Sequence, residues 1–176
     1  MKIFSALSIA TVTLSSTFSV QAQQVNSASD IGDATVTVQF IPIEVTNTST
    51  LDFGTLLPFG RPGSVTITTA GGSSPSDLLL IEQGTAAEWT VKGIGNAPYA
   101  VTLPTNISLT SNNGDDTPMT VNAFRTSARH LGYSTPTSIL DAAGDGSFTV
   151  GATLNVGANQ PAGIYTGNYE ITVSYN

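Results

Sequence analysis

Phe148-Thr149-Val150-Gly151-Ala152-Thr153-Leu154-Asn155-Val156 carries an apolar side chain at every even position, with small or polar residues between. Successive side chains of a strand point to opposite faces, so this period of two marks a half-buried β-strand. The same alternation recurs outward in both directions. Ala34, Val36, Val38 and Phe40 alternate with Thr35, Thr37 and Gln39. Ile43 and Val45, Leu51 and Phe53, and Val65 and Ile67 follow. Leu78 to Ile81 is a short continuous apolar run, read as a core strand. Ala87, Trp89 and Val91 alternate, then Tyr99, Val101 and Leu103, then Ile107 and Leu109. Met119 and Val121 continue inward with either Ala123 or Phe124, and Tyr169, Ile171, Val173 and Tyr175 form the last strand.

Turn residues separate these runs. Pro58 to Gly63 reads PFGRPG, Ala70 to Ser76 is a loop of Gly, Ser and Pro, and Ser111 to Pro118 reads SNNGDDTP. Gly, Pro, Asn and Asp mark turns because they preset or tolerate the backbone angles that turns need. The pattern predicts about nine or ten short strands with turns every 8–12 residues, an all-β sandwich or barrel. Only Ser138 to Ala143 offers one possible helical turn. Phe53, Trp89, Leu154, Ile171 and Val173 are the expected core.

The first 22 residues differ from the rest. Lys2 precedes an uncharged run from Ile3 to Val20, and Val20-Gln21-Ala22 supplies small residues at −3 and −1 of a cleavage site. A basic start, an apolar stretch and a small-residue exit form the pattern of a secretory signal. The expected domains are a signal peptide at 1–22 and one β-domain at 23–176, with an N-terminal extension strand at about 33–40. The chain is expected to be exported, to the periplasm, cell surface or extracellular space.

Composition narrows the chemistry. Of five Lys and Arg only Lys2 lies in the leader, so the remaining four face all 12 acids, a net charge of −8. An acidic chain without basic clusters is a poor partner for nucleic acid or anionic membrane. With no cysteine there is no disulfide, thiol catalysis or thiolate metal site. His130 is the one histidine, and no GxSxG elbow accompanies it, so it is read as an ordinary loop residue. Asn112 to Asp116 and Asp141 to Gly146 bear oxygen ligands of the kind calcium takes, but neither has EF-hand spacing, and both are read as turns. Trp89 and the five Tyr would suit sugar stacking, yet Trp89 shares a strand face with Ala87 and Val91, so it is read as a core aromatic. No catalytic residue, cofactor or metal is expected, and the chain is read as not an enzyme.

Two segments resemble a known family. Thr50-Leu51-Asp52-Phe53-Gly54-Thr55 with Pro58, and Gly151 to Gly167 with its core Asn159-Gln160-Pro161-Ala162-Gly163-Ile164-Tyr165, closely resemble the bacterial family catalogued as domain of unknown function 4402. The resemblance implies a secreted β-domain without enzymatic residues. More distantly, Leu51-Asp52-Phe53-Gly54, Ala162-Gly163-Ile164-Tyr165 and the alternation Tyr169 to Tyr175 are similar to pieces of spore-coat-U and archaic chaperone–usher pilin subunits. That likeness implies an incomplete immunoglobulin-like sandwich completed by a neighbour's N-terminal strand, with a periplasmic chaperone and an usher as partners. Such pilins usually carry a disulfide, which this chain lacks.

The amphipathic run behind the polar leader Gln23 to Gly32, together with an open edge on the last strand, suggests strand exchange between subunits. Ala34, Val36, Val38 and Phe40 are the expected donor-strand residues. The expected function is that of a secreted surface-assembly protein, a fimbria-like subunit that self-associates by strand donation. The competing reading is a monomeric secreted binding or adhesive module without catalysis.

Overall fold

The computed structural model describes residues 29–114, 117–128 and 137–176. His130, Asp115 and Asp116, and the predicted signal peptide at 1–22, lie outside them. The chain forms two units, Met1–Val38 and Gln39–Asn176. In the first, residues 29–38 belong to no strand and are exposed.

The second unit is all β, with no helix among the described residues. Its thirteen strands are β1 Glu44–Ser49, β2 Thr55–Pro58, β3 Gly63–Ile67, β4 Ser73–Ser76, β5 Leu78–Glu82, β6 Ala87–Lys92, β7 Pro98–Thr102, β8 Asn106–Ser111, β9 Met119–Thr126, β10 Thr137–Ile139, β11 Asp145–Val156, β12 Tyr165–Thr166 and β13 Thr172–Tyr175. Every ladder is antiparallel. The largest sheet runs β1-β6-β11-β9-β8-β12, with β3 and β4 joined beside β11. A three-stranded sheet, β10-β7-β13, and a two-stranded ribbon, β2-β5, complete the unit.

The twelve-residue β11 is the centre. One of its edges pairs with β9, and the other is shared, with β6 along Asp145–Val150 and β3 along Thr153–Val156. Gly151 lies at the join, where a Cβ would collide with the Ile67 carbonyl. The alternating residues of β11 build two apolar clusters. Ala152, Leu154 and Val156 enter one with Phe53, Val65, Ile67, Met119 and Val121. Phe148 and Val150 enter the other with Ala87, Val91, Tyr99, Val101, Leu140 and Ile171.

Thirteen strands replace the nine or ten expected because short polar segments also pair. Ser73–Ser76, read as loop, is β4. It pairs only with β3, so Pro75, which has no N–H to give, stands where none is required. Ser138 to Ala143, where one helical turn was possible, holds none. Its first residues enter β10, and the Asp141 carboxylate accepts from the backbone N–H groups of Ala143 (2.8 Å) and Asp145 (2.9 Å), closing a side-chain turn. Of the predicted last strand only Thr172–Tyr175 pairs, as β13 on β7, and the short β12 on β8 precedes it.

The choice between Ala123 and Phe124 is resolved by a β-bulge. Gly151 opposes Arg125 and Thr153 opposes Asn122, so β9 holds one extra residue. Ala123 absorbs it with φ 51°, and Phe124 packs inward instead. A left-handed conformation costs a non-glycine residue about 1–2 kcal/mol. Ala123 is exposed and loses no packing on truncation. Ala123→Gly is therefore expected to leave the domain as stable or up to about 1 kcal/mol more stable, read as the urea midpoint. A clear loss would show that the bulge is not strained.

Candidate functional site

Two motifs of the sequence form opposite walls of a groove. On the first wall, Asp52 and Thr85 exchange backbone hydrogen bonds of 3.0 and 2.8 Å. The Asp52 carboxylate accepts from Gly54 N–H at 2.9 Å, and Phe53 is buried in the core beneath. Gly54 has φ 77°, and a Cβ there would collide with the Glu82 carbonyl. Leu51-Asp52-Phe53-Gly54 thus anchors the start of β2, and its glycine is needed for both backbone angle and close approach.

The second wall is the turn that leads into β12. The Gln160 side-chain amide donates to the Thr117 carbonyl (2.7 Å) and the Tyr165 hydroxyl (3.0 Å), and the Tyr165 hydroxyl donates to the Pro161 carbonyl (2.8 Å). From outside, Asn113 Nδ2 donates to the Ala162 carbonyl at 2.8 Å, and Asn112 Oδ1 accepts from Ile164 N–H at 3.2 Å. Asn112 and Asn113, weighed as calcium ligands, instead clamp this turn. At the second acidic spot Asp141 is occupied by its own turn, and Asp145 pairs with Lys92 at 2.6 Å.

Between the walls lies a groove of about 730 Å³. Ile107, Leu109, Met119, Leu154 and Val156 line its floor, and Asp52 is its one charged lining residue. Among the described residues β2 pairs only with β5, and β12 only with β8. The walls are therefore two sheet edges, whose outer N–H and C=O groups have no strand opposite them. An apolar floor between two open edges has the form of a missing strand position.

The groove has distinguishable ends. At one, beyond Pro58, the Asn159 side chain lies 3.5 Å from where a Cβ on Gly60 would be. At the other, Leu51 and Tyr169 both pack on the second cluster. Trp89 stacks on Phe148, with ring centres 6.5 Å apart and planes 6° from parallel, and meets Tyr169 edge-on at 6.0 Å. Burial pushes the Tyr169 phenol above its ordinary range, with the Trp89 indole acting weakly the other way.

The expected core residues fall in two groups. Phe53, Leu154 and Ile171 are buried. Trp89 and Val173 are half-buried, Trp89 because its large ring system spreads beyond the cluster and Val173 because β13 is a sheet edge. With its face covered by Phe148 and its side against Tyr169, Trp89 is not an open sugar platform. Of the expected donor residues, Val36, Val38 and Phe40 are 84–88% exposed, and Ala34 is exposed beside them. The groove was not anticipated, although its floor residues Ile107, Leu109, Met119, Leu154 and Val156 were each read as inward residues of strands.

Among the described residues no helix is long and apolar enough to cross a membrane, and no group of His, Cys, Asp or Glu could hold a metal ion. The family described as domain of unknown function (DUF4402) matches residues 43–175. Comparison with curated proteins and with solved structures finds no match. The chain belongs to the domain of unknown function (DUF4402) family.

Proposed function

We propose that this member of the family is an exported, pilin-like assembly subunit, an immunoglobulin-like sandwich one strand short, whose groove takes a strand from a neighbouring copy. The observation that supports this most is the groove itself, an apolar floor between the open edges of β2 and β12. The donor is Asp33 to Phe40. Its apolar residues alternate, as a strand with one face in a groove requires, and they are exposed in the single chain. Burying each of Val36, Val38 and Phe40 contributes about 1.5–3 kcal/mol, and each new backbone hydrogen bond about 0.5–1.5 kcal/mol. Such a contact joins different surfaces of two copies and so propagates as a filament. Export would follow from the leader at 1–22, with a periplasmic chaperone and usher holding the groove until assembly.

Protein collected from producing cells is expected to start at Gln23 and to run as a ladder of multimers resistant to sodium dodecyl sulfate, with fibres visible by electron microscopy. A single monomeric species at every concentration, without fibres, would replace this reading with that of a monomeric secreted binding module.

A further inference from the structure

We infer that donor and acceptor bodies also meet, through an apolar contact of Ile41 and Ile94 on the donor with Phe59 and Ile164 on the acceptor, which fixes the direction of the inserted strand. The inference rests on the strand-donation reading.

Ile41, which directly follows the donor segment, is tied to the body through Tyr175. The Tyr175 hydroxyl accepts from Ile94 N–H at 2.8 Å and donates to the Ile41 carbonyl at 3.2 Å. Phe40 is thus one residue from an anchor on the body, and consecutive Cα atoms are about 3.8 Å apart. Whichever end of the groove receives Phe40 must therefore touch the donor's body near Ile41 and Ile94. Both isoleucines are open there, 47% and 42% exposed.

The two ends of the groove offer this body different surfaces. Toward the Pro58 end, Phe59, which directly follows Pro58, is 57% exposed, and Ile164, which lines the groove, is 66% exposed. The opposite end is bordered by Asp52 and by Glu170, which directly follows Tyr169. Near Ile94 in the chain, Lys92 is surrounded by Glu44, Asp141 and Asp145, an excess of negative charge. Docking at the acidic end would set like charges together and leave four apolar side chains in water. Docking at the Pro58 end covers all four. Phe40 then lies by Pro58 and Ala34 by Tyr169, so the strand runs parallel to β2 and antiparallel to β12.

Phe59 and Ile94 do not line the groove, so they separate body contact from strand insertion. Phe59→Asp and Ile94→Asp are each expected to raise the concentration needed for ladder formation about tenfold or more, as for a central interface residue. A synthetic Asp33–Phe40 peptide should raise the melting temperature of both variants as much as that of the parent. Combining Phe59→Asp with Ile94→Lys in one chain puts opposite charges across each contact and should restore assembly. Variants that assemble like the parent while the peptide still binds, or a charge pair that restores nothing, would overturn the body contact alone. A peptide that leaves the parent's melting temperature unmoved would overturn strand donation itself.

Discussion

Without residues 23–39 the protein is expected to persist only as a weakly stable, aggregation-prone or chaperone-held monomer, and the peptide Asp33–Phe40 added in trans is expected to stabilise it. The truncation keeps the groove and its floor but removes the strand that would fill a neighbour's, so every copy is left with an unfilled groove between the edges of β2 and β12. Open edges over an apolar floor are templates for uncontrolled pairing. A peptide that binds only the folded form at about 100 times its dissociation constant adds about 2.7 kcal/mol. For a domain of this size that is a rise on the order of 5–10 °C in melting temperature. A scrambled peptide of the same composition should give none, because it loses the alternation that places apolar residues on one face. A truncated protein that stays monomeric, melts with the full-length chain and ignores the peptide would rule out the donor role of this segment.

Leu154→Ala should cost about 2–5 kcal/mol. Leu154 is 2% exposed and lies in the middle of the first cluster, between Ala152 and Val156 on the same face of β11. Its strand pairs on both edges, so the backbone has little freedom to collapse into the space left. With no disulfide in the chain, this loss is a large part of the roughly 5–15 kcal/mol that holds a typical domain. Urea unfolding would measure it directly. A midpoint that does not move would mean that Thr153 and Asn155 face inward, since a slip of one residue exchanges the two faces of a strand.

The alternation in Phe148 to Val156 placed five residues on one face, and all five are buried. Such legibility is local: one strand's burial follows from its own side chains. β4 and β10 were hidden because Ser, Thr and Pro carry no apolar period, and they pair only because β3 and β7 present an edge to them. The bulge at Ala123 was hidden too, since the count of residues on β9 matters only against β11. The groove was least legible of all. Leu51-Asp52-Phe53-Gly54 and Gln160 to Tyr165 were visible as motifs, but over a hundred positions separate them. That Gly54 serves the approach of Glu82, and Gln160 the hold on Thr117 and Tyr165, depends on contacts between distant segments. Sequence reading put the open edge on the last strand, Tyr169 to Tyr175, whereas the groove is bordered by the edge of β12, just before it.

The shared edge of β11 also governs when the domain can exist. β3, β6 and β9 each lean on β11, which is made after all of them. As the chain emerges residue by residue, the strands before β11 can form only the pairs β1-β6, β2-β5, β3-β4, β7-β10 and β8-β9. Two-stranded pairs are marginal in water on their own. Until Val156 has appeared the polypeptide has no centre to close around, and it stays threadable, a chain that a transport channel can still pass and a waiting binding partner can still reach.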